Sequence, residues 1–172
     1  TNFHNVTVNT GKTLRLEQNA VMGIAGILTV DGALNATQSE NTVLFNGTID
    51  QTVPATSTDN TTAAYHTLEL GGVGVKSFEA TPSIQGDFVK SGTSTVTIPT
   101  QFNFNGTSAQ SIAGFDYNNI DFSNAGTKTF TSNGSLSNAG AITFSGTPGA
   151  VDFDGATDNL TFVLKSDAIA TA

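Results

Sequence analysis

FNGTSAQSIAG at residues 104–114 restates FNGTIDQTVPA at residues 45–55, and a third Phe-x-Gly follows at Phe153, Asp154 and Gly155. A short chain has little use for several copies of one catalytic site, whereas a structural unit that covers its neighbour must recur. The recurrence therefore speaks of architecture before chemistry. Working outward, three longer segments overlay: FHNVTVNTGKTLRL from Phe3, YHTLELGGVGVKSF from Tyr65 and YNNIDFSNAGTKTF from Tyr117. Each begins with an aromatic residue and two polar ones, then an alternating apolar pair and a Gly-containing turn. The chain reads as a single repeat domain, 1–172, with units of approximately 3–64, 65–116 and 117–172.

The steps from Phe45 to Phe104 and from Phe104 to Phe153 are 59 and 49 residues, and those from Phe3 to Tyr65 and from Tyr65 to Tyr117 are 62 and 52. Both shorten by ten. The slack falls in TSTDNTTAAYH, residues 56–66, which reads as a polar loop inserted on a repeated scaffold. Elsewhere the local period is two, as in Thr13-Leu14-Arg15-Leu16, Val96-Thr97-Ile98 and Ile142-Thr143-Phe144. Such alternation predicts short half-buried strands, and Gly, Asn and Asp punctuate them as turn residues. The segments carry no amphipathic helical pattern, so the fold class is all-β.

Short strands at this spacing fit a parallel β-solenoid (β-helix), or one or two antiparallel β-sandwich domains. The repeat favours the solenoid, because a stack offers every copy the same surroundings. At about 20 to 25 residues per coil, the chain would form about seven or eight coils. With ~4.8 Å between strands, that is a rod of roughly 35 to 40 Å. In this reading Phe45, Phe104 and Phe153 point inward at one recurring corner, Gly47, Gly106 and Gly155 make the bend, and Tyr65 and Tyr117 are repeated packing residues. The ends of such a rod expose unpaired strand edges, which calls for self-association or continuation into further repeats.

Six Lys plus Arg stand against fourteen Asp plus Glu, for a net charge of −8, and only 12% of residues are charged. Polarity is carried by Thr, Asn, Ser and Gly. A nucleic acid would meet net repulsion and no basic cluster, so none is expected as a partner. Cysteine is absent, which removes disulfide and thiolate-metal chemistry. No apolar run reaches the length of a membrane-spanning helix, so the chain is not expected to be membrane-embedded.

The combination of FNGTSAQSIAG with YNNIDFSNAGTKTFTSNGSLSNAGAITFSG resembles the repeat region of large, type IX-secreted cell-surface adhesins and filament proteins of Bacteroidota. The resemblance covers nearly the whole chain. It implies an extracellular location at the bacterial cell surface and a role in attachment, gliding or biofilm. The first unit departs most, through the apolar stretch Ala20-Val21-Met22-Gly23-Ile24.

Candidate chemistry is sparse. Asp152 and Asp154 flank an inward Phe153 and so share an outward face, and Asp158 follows the next turn, an oxygen-rich arrangement that suits calcium. No other cofactor is expected. His4 and His66 occupy matching positions after an aromatic residue, but the third unit has Asn118 there, which favours a turn-lining role over a metal. Lys12, Arg15, Lys76, Lys90, Lys128 and Lys165 stand outside any obvious acidic cluster, so the expectation is that the protein is not an enzyme. The expected function is a structural subunit or stalk segment. The alternative is a carbohydrate-binding, lectin-like module, with a surface glycan held at the 56–66 loop.

Overall fold

The structure is a computed structural model that describes residues 1–57, 62–114, 116–131, 135–138, 140–145, 149–152, 161–164 and 169–171. Its strands are short and follow one another on three faces in strict rotation. On the first face lie β1 (Asn2–Phe3), β4 (Val21–Ile24), β7 (Thr42–Phe45), β10 (Thr67–Leu70), β13 (Phe88–Lys90), β16 (Gln110–Ile112), β19 (Lys128–Phe130) and β22 (Val151–Asp152). The second carries β2 (Val6–Val8), β5 (Leu28–Val30), β8 (Gln51–Val53), β11 (Val75–Phe78), β14 (Thr95–Val96), β17 (Asp116–Tyr117), β20 (Ser135–Asn138) and β23 (Thr161–Leu164). The third carries β3 (Thr13–Arg15), β6 (Ala33–Asn35), β9 (Thr62–Tyr65), β12 (Thr81–Ile84), β15 (Gln101–Phe104), β18 (Asn119–Ser123), β21 (Ile142–Ser145) and β24 (Ile169–Thr171).

Wherever two strands form a ladder they are parallel and three places apart along the chain, as in Leu68 opposite Val43 and Phe104 opposite Phe122. The protein is therefore a parallel β-solenoid with three strands per turn. An antiparallel sandwich does not fit, since every ladder among the described residues is parallel. The first face is one continuous eight-stranded sheet, while the second and third are interrupted. Turn length varies: Gln110 lies opposite Lys128, a turn of eighteen residues, and Thr42 opposite Thr67, one of twenty-five.

The period-two pattern does what it predicts. In β7, β10 and β15 the second and fourth residues are buried and the others partly exposed. The core that results is graded along the axis. Its first part is aliphatic, with Ile24, Leu34 and Val43, and its later part aromatic, with Phe88, Phe102, Phe104, Phe122 and Phe130 all at 1% exposure or less. Phe102 and Phe104 stack at 6.0 Å, Phe104 continues onto Phe122 at 5.9 Å, and Phe122 onto Phe144 at 5.7 Å. Tyr117 meets Phe102 edge-on at 5.2 Å. Tyr65 and Tyr117 are themselves buried, and their hydroxyls donate to the carbonyls of Pro54 and Ala113.

Three expectations need correction. First, the unit starts Phe3, Tyr65 and Tyr117 lie in β1, β9 and β17, eight strands apart, whereas a turn takes three. Successive units are thus displaced by one face, and equivalent strands do not share a face. The stack tolerates this because all three faces are parallel ladders around one core, so a strand meets the same backbone pattern on any of them. Second, Phe45 and Phe104 do not mark one corner. Phe45 ends β7 at the corner between the first and second faces, and Phe104 ends β15 at the corner between the third and first. Third, residues 56–66 are not simply a loop. Thr62–Tyr65 forms β9, paired along its length with β12, and buries Ala63 and Tyr65. The alternation in Thr62-Ala63-Ala64-Tyr65 is the strand signal, and it wins because an apolar pair on one side can enter the core. Phe153 and Gly155 lie outside the described residues.

Phe104→Ala should lower stability by about 3–5 kcal/mol, the usual range for losing a buried Phe. Urea unfolding followed by circular dichroism measures it, and a loss below ~1 kcal/mol would contradict the aromatic column as the source of stability.

Candidate functional site

At each FNG corner the chain leaves one face for the next, and its backbone polar groups need partners. Gln51 and Gln110 supply them in the same way. The Oε1 of Gln51 accepts from the Gly47 N–H at 2.9 Å, and its Nε2 donates to the carbonyls of Ile24 and Gly26 on the preceding turn. Gln110 accepts from the Gly106 N–H at 2.8 Å and donates to the carbonyls of Ile84 and Gly86. The glycines are required by this close approach. A Cβ at Gly47 would run into the Ala25 carbonyl and the Gln51 amide, and one at Gly106 into the Gln85 carbonyl and the Gln110 amide.

A lysine covers each glutamine from the following turn. Lys76 is the register partner of Gln51, and Lys128 that of Gln110. Both are fully buried. The Lys76 ammonium donates to Gln51 Oε1 at 2.7 Å, to the Val73 carbonyl at 2.9 Å and to the Gly47 carbonyl at 3.2 Å, so three acceptors meet its three protons. Lys128 donates to the Gly106 carbonyl at 2.6 Å. Burial lowers the pKa of both, with Asp50 partly opposing the effect at Lys76 and Lys128 brought down to about 8. Sequence reading places these lysines only outside any obvious acidic cluster and assigns them no structural role. The signal was available: Lys76 and Phe78, like Lys128 and Phe130, are two residues apart in a strand and so share a face.

The corner between the third and first faces has a second feature. Its connections differ in length from turn to turn: residues 36–41 after β6, His66 alone after β9, residues 85–87 after β12, and residues 105–109 after β15. Two short connections between two long ones leave a notch, with His66 and Gln85 on its floor. Overlapping cavities of about 340 and 390 Å³ fill it and share Ser39, His66, Gln85 and Ser108. The Glu40 N–H donates to His66 Nε2 at 3.3 Å, and His66 Nδ1 contacts Thr67 Oγ1 at 3.3 Å. That pattern requires the Nδ1–H tautomer, neutral. Burial lowers the His66 pKa, partly opposed by Asp87 and Glu40. Glu40 itself sits at φ 60°, and Asn19 and Asn124 adopt the same left-handed backbone at this corner in other turns.

Of the remaining sequence candidates, the two histidines are not brought together. His4 lies between β1 and β2, at a different corner from His66. Asp152 is exposed at the end of β22, opposite Thr129, while Asp154 and Asp158 lie outside the described residues. Among the described residues no group of three or more His, Asp or Glu side chains is placed to hold a metal ion. Tyr65, being buried, offers no face to a sugar. No helix among the described residues is long and apolar enough to cross a membrane.

Fold and corners together define the class: a parallel β-solenoid repeat protein whose bends are braced by buried Gln–Lys pairs. No family model, curated protein or solved structure matches the chain.

The lysine burial has a pH signature. Between pH 8 and 10.5 the unfolded chain holds a proton that native Lys128 has given up, so Lys128 makes stability rise with pH across that window. Tyr65 and Tyr117, whose burial raises their pKa, act oppositely from about pH 10 upward, so the comparison is with a variant. Lys128→Met should show less gain in stability from pH 8 to 10 than the parent in urea titrations. Equal gains would show that Lys128 is not desolvated.

Proposed function

We propose that the chain is a structural segment, stalk or filament subunit, of an extracellular surface adhesin, working through backbone pairing and core burial and not through catalysis. The observation that carries this reading is the end of the solenoid formed by β1, β2 and β3. Each of these strands pairs on one side only among the described residues. The core is open there, in a cavity of about 460 Å³ lined by Phe3, Val6, Leu14, Leu16, Val21 and Met22 among others. Phe3 is 43% exposed and Val21 53%. Unpaired parallel edges beside an apolar opening are complementary to another coil of the same kind.

The surface supports the same reading. Outward positions are mostly Thr, Asn and Ser, and among the described residues two of the five basic side chains, Lys76 and Lys128, are buried in corners, which leaves an acidic exterior unsuited to nucleic acid. The resemblance of the FNGT and YNN motifs to Bacteroidota adhesin repeats supports a place at the cell surface. A carbohydrate-binding role is favoured separately by the notch.

In the isolated 172-residue chain the covering coil can come only from a second copy. Negative-stain electron microscopy should therefore show end-to-end rods longer than one molecule, and Phe3→Glu should shorten them to single particles. Monodisperse short particles from the parent chain at all concentrations would sink the proposal. Repeating the experiment with calcium and with a chelator bears on the Asp152 region, since calcium-dependent length that Asp152→Asn abolishes would support a cation there.

A further inference from the structure

We infer that the notch between the 36–41 and 105–109 connections is a binding site for a neutral saccharide, independent of whether the solenoid assembles end to end. Its walls stand three turns apart, about 14 Å at the usual inter-strand spacing, and each of its two overlapping cavities falls within the size range of small-ligand pockets. The lining selects among ligand classes by exclusion. It offers an apolar ligand little, because hydroxyl and amide groups dominate: Thr37, Ser39, Gln85, Asn105, Ser108 and Asn124. An anion would face the carboxylates of Glu40 and Asp87 with no cationic side chain in the lining, and the neutral His66 already spends its Nε2 on the Glu40 N–H. A metal ion finds no cluster of ligands among the described residues.

What remains is a neutral polyhydroxylated molecule. Asn105 and Asn124 already spend their Nδ2 groups on Ser83 Oγ and on the Asn105 carbonyl, so the groups left for a ligand are the Gln85 amide on the floor, both donor and acceptor, and the exposed hydroxyls of Ser39, Thr107 and Ser108 around it. Such groups can meet neighbouring sugar hydroxyls in pairs. With no exposed aromatic ring in the lining, affinity rests on hydrogen bonds alone and falls in the millimolar range, a weakness that many copies along one stalk would offset through avidity.

The test is an ¹⁵N–¹H NMR titration of the whole chain with cellobiose, mannobiose, lactose and N,N′-diacetylchitobiose, each taken to millimolar concentration. At least one should give saturable shifts confined to residues 37–41, 66–67, 85–87 and 105–109. Gln85→Ala, whose amide is a floor group, should weaken that binding at least about tenfold, while retaining the parent's spectral dispersion. Ser108→Trp should block it by filling the notch. Absence of saturable shifts with all four sugars, or shifts centred elsewhere, would overturn the inference. So would tighter binding of N-acetyl-arginine methylamide at the same amides, which would make the notch a site for basic side chains.

Discussion

The constraint on which this structure depends is the need to turn a strand through a corner without stranding backbone polar groups inside it. Parallel ladders satisfy the faces, but at a bend the chain's N–H and carbonyl groups point along the axis toward turns that are also bending. At the FNG corners an inward Gln ties its own turn to the preceding one, and a Lys from the next turn ties back to the carbonyl of the corner glycine. A buried ammonium is normally costly, yet at Lys76 three acceptors converge on it. The aromatic columns can stack only because the corners hold successive faces in register.

Because the corner is a local device, it is not bound to one edge of the prism. The sequence repeat spans eight strands and the turn three, so the same FNG bend serves two different corners. Backbone pairing is indifferent to this displacement, and the core accepts it because inward residues from any face enter the same interior. What the displacement does change is the surface. Outward side chains and connection lengths that are equivalent in sequence land on different faces, which breaks the uniform exterior expected of identical units.

The notch is a product of that unevenness. It lies where a one-residue and a three-residue connection fall between connections of six and five on one edge. The left-handed Glu40 is held over it by the His66 ring, so one wall is fastened to the floor. A rod that is mechanically uniform thus acquires one distinctive concavity.

Much of the architecture was legible in the residues alone. Alternation in stretches such as Gln101-Phe102-Asn103-Phe104 dictates a strand with both Phe inward, and the recurrence of FNGT dictates a repeated bend, because both are short-range consequences of side-chain direction and glycine's small size. The inward Lys76 and Lys128 obey the same parity, but a charged residue on a core face makes sense only when its acceptors on the preceding turn are known. Two things were decided by tertiary structure: the face each strand occupies and the notch. Both depend on how many residues each turn spends between corners, a count that pairing across some eighteen to twenty-seven residues settles and no local pattern records.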